Sequence, residues 1–120
     1  MSRPLLVKVT CGTDDPERSN QAFTVAGAAV AAGAEVSLWL TGEAVWAAVP
    51  ARGLDLGLEH ATPVATLLEV VLGAGSVTVC TQCATRRGIT AADVADGVRI
   101  AGAAVFAEEA LRDGVQALVY

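Results

Sequence analysis

Residues 76–88, with the sequence SVTVCTQCATRRG, indicate most about how this chain folds. The first part of the stretch, from Ser76 to Cys80, is rich in β-branched residues and predicts a strand. The part that contains Cys83 follows without a linker. Both cysteines therefore lie at the carboxyl end of a predicted strand, which is where parallel α/β domains gather their ligands and reactive groups.

Two strand and helix units precede this stretch. The apolar run at residues 5–10 is typical of a strand buried on both faces. Asp15 and Pro16 predict the start of a helix, because aspartate caps helix N-termini and proline suits the first helical position. The predicted elements are a strand at 5–10, a helix at 16–32, a strand at 35–40, a short helix at 43–49, a loop at 51–60 and a helix at 62–72.

Shorter elements follow the stretch. Thr90 to Asp93 matches a capping box with an acidic third member, and the later predicted elements are a strand at 97–100, a helix at 102–112 and a strand at 115–120. Strands that alternate with helices imply a mostly parallel sheet of about five strands with helices on both faces. A chain of 120 residues suffices for one compact core, so we expect a single α/β domain over residues 1–120.

The composition narrows the range of partners. Hydrophobic residues make up 53% of the chain and aromatic residues only 4%, which predicts a core of small and branched side chains. The formal net charge is -5 and the basic residues are scattered, so neither nucleic acid nor an anionic membrane is an expected partner. No stretch has the apolar length of a signal peptide or a membrane span, and we expect a cytoplasmic protein.

The three cysteines cannot all pair within one chain, so at least one thiol is expected to be free. Cys11 follows the first predicted strand and Cys80 ends the third, which places both at the carboxyl edge of the sheet. If these two strands are neighbours, as in flavodoxin-like sheets, Cys11 can reach Cys80 and serve as a resolving thiol. Otherwise Cys11 packs at its strand end.

A thiol reacts as its thiolate, so a reactive cysteine needs surroundings that favour negative charge. A helix that begins next to Cys80 would direct backbone N–H groups at its sulfur, and Cys83 at this spacing can donate a hydrogen bond to it. Arg86 and Arg87 add positive charge, although they lie at the far end of a short helix. Cys80 and Cys83 are therefore the candidate catalytic residues.

Other uses of these residues stay open. Cys80 can be a buried strand residue that packs as a small hydrophobe. The Cys-x-x-Cys spacing is half of a structural zinc site, but only Cys11 and His60 remain as soft ligands, so we expect no metal. Trp46 can cover the same edge of the sheet or pack in the core. The sequence has no nucleotide-binding glycine motif and only one histidine, so no cofactor is expected.

Several segments together resemble the DsrE/DsrF-like family, which includes the TusD sulfur-relay subunit. They are Val77 to Ile89, Gly97 to Gly102, Ala117 to Tyr120, Thr10 to Pro16 and Gly42 to Val45. The resemblance implies a three-layer α/β domain that assembles as a homo-oligomer, such as a trimer or hexamer, or as a hetero-oligomer. It also implies a cysteine that carries sulfane sulfur as a persulfide, exchanged with donor and acceptor proteins, and that cysteine corresponds to Cys80. Cys83 departs from the TusD-like pattern.

Three functions follow for Cys80 and Cys83. In the first, Cys80 carries sulfur as a persulfide, with Cys83 as a resolving or modulating thiol. In the second, Cys80 cycles with Cys83 or Cys11 as a thiol-disulfide oxidoreductase or redox switch, because a nearby thiol can attack a persulfide and leave a disulfide. In the third, the cysteines are inert and the protein is a non-catalytic oligomeric binding subunit.

Overall fold

The structure is a computed structural model that describes residues 3–120. These residues form five strands, four α-helices and one 3-10 helix. The strands are β1 (Pro4–Val9), β2 (Glu35–Leu40), β3 (Ser76–Cys80), β4 (Arg99–Ala101) and β5 (Gln116–Val119). The α-helices are α1 (Pro16–Ala31), α2 (Val64–Ala74), α3 (Thr81–Arg86) and α4 (Ala103–Ala110), and the 3-10 helix spans Gly42–Ala48.

All strand pairs are parallel, and the strands lie in the order β4-β3-β2-β1-β5. This confirms the predicted α/β class with a parallel sheet of five strands. The hypothesis that the first and third strands are neighbours is wrong, because β2 pairs with both of them. The two strand ends that carry Cys11 and Cys80 are thus separated by two strand spacings, roughly 10 Å.

One face of the sheet forms the main core, covered by α1 and α2. Its strand residues alternate with those of the other face and are almost wholly buried; they include Val7, Val9, Leu38, Leu40, Val77 and Val79. From α1, Phe23 packs into this core, and from α2, Val71 does so. Gly27 lets the two helices approach closely, since a Cβ atom there would lie 3.0 Å from Cδ2 of Leu67. The small side chains of the composition serve this close packing.

The opposite face is covered by α4 and is more polar. Lys8, Trp39, Thr78 and Arg99 stand in register across four neighbouring strands. From α4, the ring of Phe106 meets Trp39 edge to face, with 5.3 Å between ring centroids. Helices on both faces complete the three layers that the sequence predicted.

The helix ends follow local chemistry. Asp15 caps α1 by accepting a hydrogen bond from the backbone N–H of Arg18, as predicted. Only one bond of the predicted capping box forms, from the Thr90 N–H to the Asp93 carboxylate. The Thr90 hydroxyl also donates to that carboxylate, and the Asp93 N–H donates to the Thr90 carbonyl, so the segment closes a turn without a following helix. Residues 51–60 form a loop, as predicted. Within residues 3–120 no helix has the length and apolar character that crossing a bilayer requires.

Candidate functional site

Cys80 is the last residue of β3 and the N-cap of α3. Its side chain is half-buried and lines a cavity of about 140 Å³ at the carboxyl edge of the sheet. Polar walls of this cavity come from Lys8, Thr41 and Gln82, and apolar walls come from Trp39 and Phe106. We call this space the Cys80 cavity. A thiol, an ammonium group and two aromatic rings thus line the same cavity.

The surroundings of Cys80 favour its thiolate. Burial is the largest single influence on the pKa of Cys80 and raises it, but the backbone N–H and the thiol of Cys83, the backbone N–H of Gln82 and the charge of Lys8 all lower it. Together they hold the pKa of Cys80 below its ordinary value. Neither N–H closes a standard capping hydrogen bond on the sulfur, so both act as dipoles directed at it.

Cys83 is buried one helical turn from Cys80. Its sulfur accepts a hydrogen bond from the backbone N–H of Gly42 at 3.2 Å. Gly42 has a φ of 55°, and a Cβ atom there would lie 2.5 Å from the carbonyl oxygen of Thr10, so this turn requires glycine. The Cys83 thiol is therefore held between the turn after β2 and the sulfur of Cys80.

Arg87 fixes the helix that carries the two cysteines. Its guanidinium donates to Oε2 of Glu43 at 2.7 Å and to the carbonyl oxygen of Cys83 at 3.1 Å. The ion pair lowers the pKa of Glu43, with the hydrogen bond from Arg87 as the largest cause. Arg87 thus supports the position of Cys83, whereas Arg86 is exposed in the last turn of α3. Neither arginine lines the Cys80 cavity.

Trp46 contacts this ion pair through Glu43 and does not line the Cys80 cavity. Its indole N–H donates to Glu43 at 3.3 Å, and the guanidinium of Arg52 stacks over its ring at 3.7 Å from the centroid. The tryptophan of the Cys80 cavity is instead Trp39. The sequence pointed to Trp46 because it lies in the short helix after β2, whereas the alternation of β2 directs Trp39 to the α4 face.

Cys11 is buried, with 4% of its surface exposed. Burial is the largest cause that raises the pKa of its thiol; Asp15 and Asp14 raise it further, and Arg18 opposes them. With β2 lying between β1 and β3, Cys11 is not placed beside Cys80. The structure gives Cys11 the packing role that the sequence left open.

Sequence reasoning missed Lys8, Trp39 and Phe106. Lys8 is the one charged residue within the apolar run of residues 5–10, which is a signal that could have been noticed. Its relation to Cys80 depends on the strand order, because β2 separates β1 from β3 and only the register across these three strands aligns Lys8 with Thr78. Phe106 reaches the cavity only because α4 crosses this face of the sheet.

The other cavities and polar clusters of the described residues lack a reactive thiol or a set of metal ligands. Cavities of about 380 and 330 Å³ are larger than the Cys80 cavity, but no cysteine lines either of them. In the part of the chain that the structure describes, no three His, Cys, Asp or Glu side chains converge as a metal site would need. His60 lies exposed in the loop at residues 51–60. The candidate site is therefore the Cys80 cavity.

Comparison with known proteins identifies the fold family. Solved structures that match over 100% of both chains include the YchN protein from E. coli, with a TM-score of 0.79 and 22% sequence identity, and MTH1491 from Methanobacterium thermoautotrophicum, a protein of unknown function, with a TM-score of 0.70 and 10% identity. No curated protein matches the sequence. The sequence profile of the DsrE/DsrF-like family matches residues 5–119, and the chain therefore belongs to the DsrE/DsrF-like family.

Proposed function

We propose that this protein is a sulfur-relay protein that carries sulfane sulfur as a persulfide on Cys80. The observation that carries the proposal is the contrast in exposure among the three free thiols: Cys11 and Cys83 are buried, whereas Cys80 is half-buried and lines a cavity in which its pKa is lowered. Membership of the DsrE/DsrF-like family suggests a sulfur-relay role. A thiolate at the mouth of a small cavity can attack a sulfane sulfur and keep it from bulk water.

The proposal includes the compartment in which the protein acts, its protein partners and its assembly. Three free thiols suit the reducing cytoplasm, where structural disulfides are rare. Donor and acceptor proteins would deliver and collect the sulfur. Leu111 and Val119 expose 83% and 63% of their surfaces near β5, which supports assembly into a homo-oligomer or hetero-oligomer.

Mass spectrometry after incubation with inorganic polysulfide tests the proposal. The wild-type protein should gain the mass of one sulfur atom on the peptide that contains Cys80, and Cys80→Ser should gain none. Cys11→Ser is the matched control and should load like the wild type. Equal loading of Cys80→Ser and the wild type would overturn the proposal.

A thiol-disulfide reaction between Cys80 and Cys83 is the second candidate, favoured by the contribution of the Cys83 thiol to the lowered pKa of Cys80. In this reaction the Cys83 thiolate attacks the inner sulfur of the Cys80 persulfide, a disulfide forms and hydrosulfide leaves with the bonding electron pair. Hydrosulfide release that depends on Cys83 would identify this reaction. A persulfide of equal lifetime in the wild type and in Cys83→Ser would identify a carrier.

A further inference from the structure

Within residues 3–120, Lys8 is a cation that no carboxylate pairs with. It lies in the middle of β1 and is half-buried on the face of the sheet that α4 covers. Its ammonium group stands 5.0 Å from the ring centroid of Phe106. Among the ion pairs formed within residues 3–120, none includes Lys8. Lysine is rarely drawn into such a position unless an anion accompanies it.

The Cys80 cavity is where that anion can bind. Lys8 and Cys80 line the same space, and no carboxylate is among its walls. The rings of Trp39 and Phe106 close the cavity on its apolar side and reduce the screening of the lysine charge by water. Its volume of about 140 Å³ suits a ligand of a few atoms beyond the sulfur itself.

The other basic residues near the cysteines do not supply this charge. Arg87 is neutralised by Glu43 and bound to the carbonyl of Cys83, and Arg86 is exposed on α3. Lys8 is the cation that lines the cavity. The site therefore holds one nucleophilic sulfur and one ammonium group in the same cavity, beside the apolar rings of Trp39 and Phe106.

We propose that Lys8 is the anion-binding residue of the Cys80 cavity, and that the site takes small anionic sulfur donors, such as persulfide or polysulfide anions, in preference to neutral ones. This deepens the proposed function, since it names the class of donor. The Cys80 thiolate attacks the outer sulfur of R–S–S⁻, the new S–S bond forms, and R–S⁻ leaves with the electron pair of the old bond. Two anions meet in this step, and Lys8 offsets their repulsion.

Two alkylating reagents of nearly equal size test the charge preference without any sulfur donor. Iodoacetate is anionic and iodoacetamide is neutral, and both react with the thiolate, so the ratio of their rates does not depend on the thiolate fraction. We expect this ratio at Cys80, measured by mass spectrometry of the folded protein, to exceed that of N-acetylcysteine. In Lys8→Met the ratio should fall by roughly fivefold to tenfold, and in Lys8→Arg it should be largely kept.

Arg86→Met is the matched control, because it removes a positive charge near the cysteines that does not line the cavity. It should leave the ratio within about twofold of the wild type, as expected for an exposed charge that salt and water screen. A wild-type ratio no higher than that of N-acetylcysteine would overturn the inference even if Lys8→Met does not fold. An equal fall in Arg86→Met and Lys8→Met would also overturn it.

Loading with inorganic polysulfide separates this inference from the proposed function. If the wild-type ratio is high and falls in Lys8→Met while Cys80 gains no sulfur, the anion site stands and the relay fails. If Cys80 gains sulfur and the ratio does not depend on Lys8, the relay stands and the anion site fails. Support for both requires that Lys8→Met, with circular dichroism like that of the wild type, load more slowly than Lys8→Arg.

Discussion

Cys11 and Cys80 occupy comparable places in the fold but differ in chemistry. Each follows or ends a parallel strand at the carboxyl edge of the same sheet. The pKa of Cys11 is raised, chiefly by burial, and the pKa of Cys80 is lowered despite burial. A place at the carboxyl edge therefore does not by itself make a cysteine reactive.

The difference comes from the neighbours that the fold brings to each sulfur. Asp14 and Asp15 follow Cys11 in the loop and place negative charge near it. Cys80 meets N–H groups of α3, the Cys83 thiol and the ammonium group of Lys8. Adjacent sequence supplies the acidic neighbours of Cys11, but its burial comes from the fold, and the surroundings of Cys80 also need a residue from β1. Reactivity at this edge thus depends on contacts between distant segments.

The largest expected effect is a difference in reactivity between the two thiols. With iodoacetamide at neutral pH, Cys80 should react faster than Cys11 by on the order of 100-fold, because Cys11 is protonated and must open locally to react. Site-resolved mass spectrometry of the folded protein measures both rates. In concentrated denaturant the two rates should converge, and a difference that persisted there would assign the effect to local sequence alone.

Much of the fold could be predicted because its signals are local. The β-branched run that ends at Cys80 and the Asp15-Pro16 pair each specify a strand or a helix start from adjacent residues. The alternation of these elements then leads to a parallel α/β sheet. Cys80 and Cys83 could be selected as candidates for the same reason, since their spacing and their place after a strand are visible in the sequence.

The sheet order and the walls of the cavity could not be predicted in this way. Which strands pair depends on long-range packing, and the expectation that the first and third strands are neighbours was wrong. With β2 between them, Trp39 rather than Cys11 stands beside the strand that carries Cys80. Lys8 and Phe106 meet only when β1 and α4 are both in place.

Gly42 links the two cysteine regions and offers the next test. Gly42→Ala should lower the free energy of unfolding by about 2–4 kcal/mol, because its φ is positive and the added Cβ would crowd the carbonyl of Thr10. Gly53→Ala is the matched control: its φ is also positive, but nothing lies within 4 Å, so about 1 kcal/mol is expected. Urea unfolding measures both, and equal losses would refute the crowding of Gly42.

Glu109 lies on α4 and offers a test that separates the surroundings of Cys80 from those of Cys11, because of these two only the surroundings of Cys80 include α4. Its buried carboxylate accepts hydrogen bonds from Ser37 and Arg99, and Glu109→Gln should cost about 1–3 kcal/mol by leaving Arg99 without its counter-charge. Glu108→Gln, at the exposed neighbouring position of α4, should change stability by less than about 0.5 kcal/mol.

Urea unfolding of the two α4 variants and alkylation rates at both cysteines check this role. We expect Glu109→Gln to change the rate at Cys80, because α4 carries Phe106 over the Cys80 cavity, and to leave the rate at Cys11 as in the wild type. Equal changes at both cysteines would mean that the substitution loosens the whole sheet rather than one wall.

The smallest expected effect is a difference in how stability depends on pH. Between its lowered pKa and the ordinary value of 9.0, Cys80 is a thiolate when folded and a thiol when unfolded, so stability rises with pH and is lost as pH falls. Above 9.0, Cys11 stays protonated when folded and ionises when unfolded, so stability falls as pH rises. Urea unfolding from about pH 7 to about pH 10 should therefore show a smaller alkaline loss in Cys11→Ala and a smaller rise toward pH 9 in Cys80→Ala. If both substitutions changed the slope of stability against pH in the same direction, the two thiols would not differ as the structure indicates. Packing lost on substitution by alanine lowers the free energy of unfolding equally at every pH, so it leaves these slopes unchanged.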